Sequence, residues 1–358
     1  MLKIIKVCLY PISLLYGFIL LTRNKLFDWH ILPSETFPMP VICVGNLSMG
    51  GTGKTPHTEY LIRLLQNQFK IAILSRGYGR KTKGFILVDG TMDALTIGDE
   101  VKQLYDKFSD ITVAVSEDRR IGVKKIIELH PEIDVILMDD AFQHRYVKPG
   151  LSVLLTDYSN LYINDFVVPT GTLREFTSGA VRADIICVTK SPKILSPIVS
   201  RDIETKLKIL ESQKLYFSYI RFGNFIPLYE DSKVEMPKKV YAILLFAGIV
   251  NTYPLEEFLR TECEELTVLR YNDHYQYTEK DINNIIKTFK DLYSVNKIIV
   301  TTEKDKKRLE SDGFYELMNN IPIYYVPIEI EMHKKYKQDF DNQILNYVKT
   351  NRTNSKLH

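Results

Sequence analysis

Cysteine is scarce in this 358-residue chain: Cys8, Cys43, Cys187 and Cys263 lie far apart, with no CxxC spacing. That pattern suggests neither a zinc site nor a disulfide framework, and it fits a reducing compartment. An excess of one charge is also missing. Forty-seven Lys and Arg face 44 Asp and Glu, a net charge of +3. No long basic run with interleaved aromatics occurs, so no nucleic-acid partner is expected. Internal repeats and low-complexity segments are absent as well. With 45% hydrophobic and 25% charged residues, the chain can build one large domain or two ordinary ones, and large-scale disorder is not expected.

Acidic residues are absent before Asp28. Residues 7–21 read VCLYPISLLYGFILL, uncharged and mostly apolar, between Lys3 and Lys6 on one side and Arg23 and Lys25 on the other. A helix of that length rises about 22 Å, short of a hydrocarbon core of about 30 Å, and Pro11 disturbs a continuous helix. The expectation is a helix lying in the membrane interface, its basic flanks suited to an anionic lipid surface. A cleaved signal peptide fits poorly, because Thr22-Arg23-Asn24-Lys25 offers no small-residue cleavage site. A helix buried in the protein's own core is the remaining alternative.

Beyond this segment, short apolar runs at 41–44, 70–74, 111–116, 134–138, 151–155 and 184–189 alternate with helical patterns at 55–65 and 118–129. The alternation predicts an α/β fold, a mostly parallel sheet with helices on both faces, and the glycine-rich run Ser48 to Thr55 after the first strand makes it P-loop NTPase-like. Residues 215–228, LYFSYIRFGNFIPL, read as a two-stranded ribbon turning at Gly-Asn. A second αβ series begins near 241. The expected organisation is an N-terminal membrane-associated helix over 1–28, a P-loop domain over 29–213, a β-ribbon and linker over 214–239, a smaller α/β lobe over 240–350 and a frayed tail over 351–358.

The strongest local signal is Ser48-Met49-Gly50-Gly51-Thr52-Gly53-Lys54-Thr55, which follows a predicted strand and opens a predicted helix. Glycines let backbone N–H groups turn toward phosphates, Lys54 reaches the β and γ oxygens, and the Thr55 hydroxyl suits Mg²⁺. Ser48 stands where the usual pattern opens with glycine. The second signal is the apolar strand 134–138 ending in Asp139-Asp140, which delivers a carboxylate to the magnesium beside a phosphate loop. His144 follows closely. Ser75-Arg76-Gly77-Tyr78-Gly79-Arg80 carries two arginines fit to clamp an anion. Asp99 opens a helical run, where a plain N-terminal carboxylate is the alternative to a catalytic one. Asp273-His274 and Thr302-Glu303-Lys304-Asp305 are equally ambiguous in isolation.

In order along the chain, these segments resemble the tetraacyldisaccharide 4'-kinase family, the lipid A kinases of Gram-negative bacteria. The likeness takes in Gly45-Asn46-Leu47 leading into the phosphate loop and Pro56, Ser75 to Gly79, Gly98-Asp99-Glu100, and Asp139-Asp140-Ala141-Phe142-Gln143-His144. It continues through Gly171-Thr172-Leu173-Arg174-Glu175, Ala247-Gly248-Ile249, Asp273-His274 and Thr302 to Asp305. Thr172 replaces a more usual proline, and no second histidine follows His274.

The resemblance implies ATP as co-substrate, Mg²⁺, a lipid A disaccharide as acceptor and a peripheral or monotopic monomer on the cytoplasmic face of the inner membrane. By the same likeness Asp99 is the catalytic carboxylate with His274 as its partner, and Lys54 and Asp139 share the catalytic work. Thr55, Asp139 and Glu175 hold the metal, while Arg76, Tyr78, Asp140, Gln143, His144 and Arg174 meet the substrate. The contrasting reading is a membrane-associated P-loop ATPase acting as a nucleotide-dependent switch, which has no need of Asp99 and His274.

Overall fold

The first strand, β1 (Val41–Asn46), reads VICVGN, and all six residues are buried in the computed structural model. A continuous apolar run is what a strand covered on both faces requires. Its side chains alternate between two cores: Ile42 and Val44 enter one, Val41 and Cys43 the other. The structure describes residues 2–229, 234–249, 251–273, 275–311, 314–318 and 320–355.

β1 lies centrally in a nine-stranded sheet with β2 (Ile71–Ser75), β3 (Ile86–Leu87), β4 (Thr112–Val115), β5 (Val135–Asp139), β6 (Leu151–Asp157), β7 (Ile185–Thr189), β8 (Lys214–Phe222) and, last in the chain, β14 (Ile328–Met332). The order is β14-β8-β7-β6-β1-β5-β2-β4-β3. Pairing is parallel from β8 across to β4, and β3 closes that edge antiparallel. A helix α1 (Leu2–Asp28) precedes the sheet, and α2 (Lys54–Leu65), α3 (Ala94–Ile97), α4 (Asp99–Lys107), α5 (Arg119–Leu129) and α6 (Pro197–Leu207) connect its strands. α2 puts Leu61, Ile62 and Leu65 into one core, and α5 puts Val123 and Ile126 into the other. The sheet is therefore covered on both faces, as the apolar runs predict.

The smaller unit, Arg221–Glu329, holds a five-stranded sheet of β9 (Ile226–Pro227), β10 (Ala242–Ala247), β11 (Glu265–Arg270), β12 (Lys297–Thr302) and β13 (Ile323–Val326), in the order β11-β10-β12-β13-β9. All its pairings are parallel except that of β9. Its helices are α7 (Tyr253–Glu262), α8 (Glu279–Asp291), α9 (Glu303–Ser311) and α10 (Tyr315–Met318).

Two features differ from the sequence reading. Residues 215–228 form no ribbon: β8 pairs parallel with β7, while β9 pairs with β13 in the other sheet. The aromatic and β-branched content favours strands but does not select their partners. The last helix, α11 (Lys334–Ser355), belongs to the larger unit, which comprises Met1–Ile220 and Ile330–His358. Phe340, Ile344 and Val348, four residues apart on one face, enter the core beside β1. Residues 351–355 continue this helix, and Arg352 pairs with buried Asp134 at 2.7 Å.

The N-terminal helix also departs from expectation. α1 runs unbroken for 27 residues with Pro11 inside. Proline removes one backbone hydrogen bond, and contacts beyond Pro11 hold the helix in place. Thr170 N–H donates to Ser13 Oγ at 2.9 Å, and Asn24 Nδ2 donates to Glu175 Oε2 at 2.7 Å. A methyl group at Gly17 would lie 2.4 Å from the Phe176 ring, so the helix sits close to that side chain, and Phe27 is buried. This packed stripe is small or polar over most of its length. The large apolar residues Ile12, Leu15, Phe18 and Ile19 are each more than half exposed. Among the described residues no helix is long and apolar enough to cross a membrane.

The docking of α11 is testable at Phe340, which is buried and packs edge-on against Tyr216 with ring centroids 5.2 Å apart. Phe340→Ala should destabilise the larger unit by about 3–5 kcal/mol, read as a lower urea midpoint. A loss below about 1 kcal/mol is the result expected of a loosely attached surface helix.

Candidate active site

The parallel strands deliver their C-terminal ends to one edge, and the chain order reverses at β1, which has β5 on one side and β6 on the other. An open α/β sheet places its ligand crevice at such a point. The loop between β1 and α2 lies there. Gly50 and Gly53 have φ angles of 121° and 88°, a region that side chains rarely enter. Ser48 has no positive φ. It bridges antiparallel to Leu173, with Met49 N–H donating to Thr172 O at 2.6 Å and Arg174 N–H to Leu47 O at 2.7 Å. Position 48 therefore does not require glycine. Thr172 also uses what a proline lacks, donating its N–H to Asp165 Oδ2 at 3.1 Å. From below, fully buried Asn46 donates through Nδ2 to Thr52 Oγ1 at 2.7 Å.

Two carboxylates end β5. Asp139 is buried and accepts from Thr58 Oγ1 at 3.2 Å. Burial, followed by the negative charges of Glu100 and Asp140, pushes its carboxyl up to about 7. Asp140 has a φ of 47°, which turns the chain sharply after the strand. It meets Lys54 Nζ at 3.8 Å and receives a two-pronged contact from Arg174, Nη1 at 2.8 Å and Nη2 at 3.0 Å. Burial alone would raise Asp140, but Lys54 and Arg174 outweigh it and hold the carboxyl below the usual range. Beneath the strand end, buried Arg119 donates to Ser116 O at 2.7 Å and Asp139 O at 3.3 Å, and burial pulls it down to about 10. Thr55 is buried at the start of α2.

The other sequence-selected residues fall into separate groups. Gln143 donates to Asn46 O at 2.8 Å and to Glu175 Oε1 at 3.2 Å, and its Oε1 accepts from Arg174 at 3.4 Å. Glu175, expected at the metal, is buried and accepts from Asn24, Gln143 and both terminal nitrogens of Arg182. Its oxygens are spent on protein donors, so the structure gives it a bracing place rather than a metal-facing one. His144 accepts the Arg119 N–H at 3.4 Å, and its Nδ1 is buried without a hydrogen-bond partner among the described residues.

Arg76 and Tyr78 are exposed on the loop after β2. A Cβ at Gly98 would lie 2.7 Å from Tyr78 O, and one at Gly77 would lie 2.7 Å from Ile97 O. This close approach seats the loop against the start of α4, where Asp99 is exposed. His274 lies outside the described residues. In the smaller unit Asp305 is buried and accepts from Thr302 Oγ1 at 2.6 Å, Arg308 at 2.8 Å and Gly248 N–H at 3.1 Å. The Thr302 to Asp305 motif thus caps α9 and ties it to the end of β10.

Sequence reasoning selected Lys54, Thr55, Asp139, Asp140 and Arg174, and the structure gathers these around the phosphate loop. It missed Asn46, Thr58 and Arg119 as site residues: Thr58 and Arg119 meet Asp139 from other elements, and the bond from Asn46 to Thr52 forms only once the loop has folded back. Glu100, next to Asp99 in sequence, acts on the site as well, since its charge reaches Asp139.

The family model for tetraacyldisaccharide-1-P 4'-kinase matches residues 5–349. A tetraacyldisaccharide 4'-kinase of Bacteroides thetaiotaomicron is 43% identical over 360 residues, covering 98% of this chain and 95% of that protein. The enzyme of that name from Bacteroides fragilis is 44% identical, with coverage of 98% and 95%. The one from Flavobacterium psychrophilum is also 44% identical, with coverage of 97% and 98%. Among solved structures, the "apo" form of LpxK from Aquifex aeolicus in complex with ATP matches with a TM-score of 0.71 and 25% identity, over 96% of this chain and 99% of that one.

The raised Asp139 sets a pH dependence. An unfolded carboxyl near 3.8 and a folded one near 7 mean that the neutral form is favoured on folding. The associated stability is complete below pH 3.8 and is lost as pH rises through 7. Asp139→Asn should therefore melt above the wild type without ligand, by a margin that widens between pH 5 and pH 8. A margin independent of pH would show that Asp139 does not change charge over this interval.

Proposed function

The chain belongs to the tetraacyldisaccharide-1-P 4'-kinase family and is a kinase of lipid A biosynthesis; we propose that it moves the γ-phosphate of ATP to the 4' hydroxyl of a tetraacyldisaccharide 1-phosphate, giving lipid IVA, at the edge formed by the phosphate loop and the end of β5. One observation carries this reading: Lys54, Asp140 and Arg174 form an ion cluster beside buried Asp139, so cations and carboxylates needed for phosphoryl transfer already meet.

The donors fit Mg²⁺. Asp139 is a buried carboxylate crowded by the charges of Asp140 and Glu100, and a divalent cation relieves that crowding. Thr55 adds a hard hydroxyl oxygen. No group of three or more His, Cys, Asp or Glu able to hold a metal is found among the described residues, which suits an ion bound through few protein oxygens and the nucleotide's phosphates. When bound, Mg²⁺ neutralises charge on the β and γ phosphates. Lys54, released from Asp140, binds the same oxygens, while Arg174 keeps Asp140 charged and in place. A loose transition state needs little deprotonation of the attacking hydroxyl, so Asp99 acts chiefly by orienting it. His274 keeps its partner role by family likeness alone. Arg76 and Tyr78, exposed beside α4, supply the acceptor side.

A four-chain lipid stays in its bilayer, since each CH₂ drawn into water costs about 0.8 kcal/mol. The exposed apolar face of α1 matches that demand, because a contiguous patch of this kind on a protein surface calls for a cover. We place Ile12, Leu15, Phe18 and Ile19 in the cytoplasmic leaflet of the inner membrane, with the protein held peripherally as a monomer.

Protein incubated with labelled ATP, Mg²⁺ and a tetraacyldisaccharide 1-phosphate should yield labelled lipid; release of phosphate alone would instead indicate a nucleotide-dependent switch. Lys54→Ala should lower turnover by about 10²-fold or more, and Asp99→Asn by about 10²-fold with little change in KM for ATP. A rise confined to KM for ATP in Asp99→Asn would make that residue a helix-terminal carboxylate or a metal ligand instead.

Leu15→Glu with Ile19→Glu should move the protein from membrane pellet to soluble fraction while nucleotide binding persists, because neither side chain faces the fold. Unchanged sedimentation would remove this face from the membrane.

A further inference from the structure

Three consecutive carbonyl groups of the phosphate loop are each held from the protein side. Lys190 Nζ donates to Gly51 O and, at 2.8 Å, to Asp157 Oδ2. Thr189 Oγ1 donates to Thr52 O at 2.8 Å. His57 Nδ1 lies 2.7 Å from Gly53 O. A carbonyl only accepts, so this Nδ1 carries the proton. The other ring nitrogen, Nε2, then accepts from Ser218 Oγ at 2.9 Å. His57 and Thr189 are both buried, and Asp157 balances the Lys190 charge, so that lysine is a tether.

In a trans peptide the C=O of one residue and the N–H of the next point to opposite sides. Holding the carbonyls of 51, 52 and 53 therefore orients the N–H groups of 52, 53 and 54 away from the protein side. The Thr52 N–H returns to Gly50 O at 3.0 Å. Those of Gly53 and Lys54 turn to the side on which a phosphate loop cradles its ligand. Such a glycine-rich loop has little steric resistance to rotation of its peptides: a Cβ at Gly50 or Gly51 would meet nothing within 4 Å. Orientation therefore depends on bonds to the loop's own polar groups, and on its inner side Gly51, Thr52 and Gly53 are held by these three side chains, with the residue 57 N–H adding a second bond to Gly53 O at 3.1 Å.

We propose that His57, Thr189 and Lys190 are positioning residues that fix the peptide planes of the phosphate loop in their nucleotide-binding orientation before ATP arrives. Each acts through a carbonyl of the loop. The proposal rests on the reading of this loop as the ATP site. Loss of one neutral anchor should weaken ATP binding and leave the lipid site alone.

The test pairs a removal with a conservative replacement at two positions. His57→Leu removes the side-chain bond to Gly53 O and leaves only the helical bond from the residue 57 N–H at 3.1 Å, whereas His57→Asn keeps an N–H donor near Nδ1; Thr189→Val removes the bond to Thr52 O, whereas Thr189→Ser keeps the hydroxyl. His57→Leu and Thr189→Val should each raise KM for ATP by about 3- to 10-fold, with KM for lipid unchanged and a smaller ATP-induced rise in Tm. His57→Asn and Thr189→Ser should restore both. Should His57→Leu fail to fold, the Thr189 pair decides. Wild-type KM for ATP and a wild-type Tm rise in the removal variants would overturn the proposal, as would equal losses toward ATP and lipid that the conservative variants do not repair. Lys54→Ala separates the two readings: if it too binds ATP normally, the loop assignment fails, not the anchors.

Discussion

A carboxylate ends a strand that is buried along its whole length, and a single buried charge costs several kcal/mol unless something answers it. The edge of the larger sheet is organised around that demand at Asp139. Thr58 supplies a hydroxyl, Arg119 lies under the strand end, and Asp140 swings out to hold Lys54 and Arg174. Even so, Asp139 stays up near 7, because Glu100 and Asp140 add to the negative charge. The protein alone leaves this corner short of positive charge, and the proposed Mg²⁺ site rests on that shortfall.

The same economy governs the phosphate loop. Its glycines permit backbone geometry but do not select it, and selection falls to residues on either side. Asn46 and Thr189 bind inward-facing groups, while the segment carrying Arg174 closes over Ser48 as a short bridge. Arg174 therefore has two tasks: its backbone seats the loop, and its guanidinium holds Asp140. A change there alters geometry and charge together.

How much of this could be read from the sequence depended on the range of the interactions. The parallel sheet was legible because a strand buried on both faces must be apolar along its core, and residues 41–44 and 135–138 are. Lys54 and Thr55 were legible because their chemistry is set by spacing within one strand–loop–helix unit, and Asp139 because it ends an apolar strand. Residues 215–228 misled because strand propensity carries no pairing information, so one run feeds two sheets. Glu175 was placed at the metal by likeness, but its oxygens are taken by Asn24, Gln143 and Arg182, a combination that no local pattern encodes. Arg119 gave no signal at all: a buried arginine looks like a surface one until its partners are known.

The N-terminal helix is the case in which short- and long-range readings need each other. Its composition alone allowed either a membrane helix or a core helix, and the structure shows one face packed on the domain and the other exposed. Ser13, Gly17 and Asn24 are small or polar because they lie against the domain, which leaves the large apolar residues outside. That arrangement inverts the usual amphipathic helix. The packed face is more than an attachment. Asn24 bonds Glu175, Glu175 bonds Gln143, Gln143 accepts from Arg174, and Arg174 holds Asp140 beside Lys54. A polar chain thus runs from the helix to the phosphate-loop lysine, and each member is another's partner. Removing the helix would take a donor from Glu175 and strip cover from Phe176 as well as deleting the apolar face. Point charges on the exposed side leave the chain intact, so they isolate what that face does where a truncation would confound it.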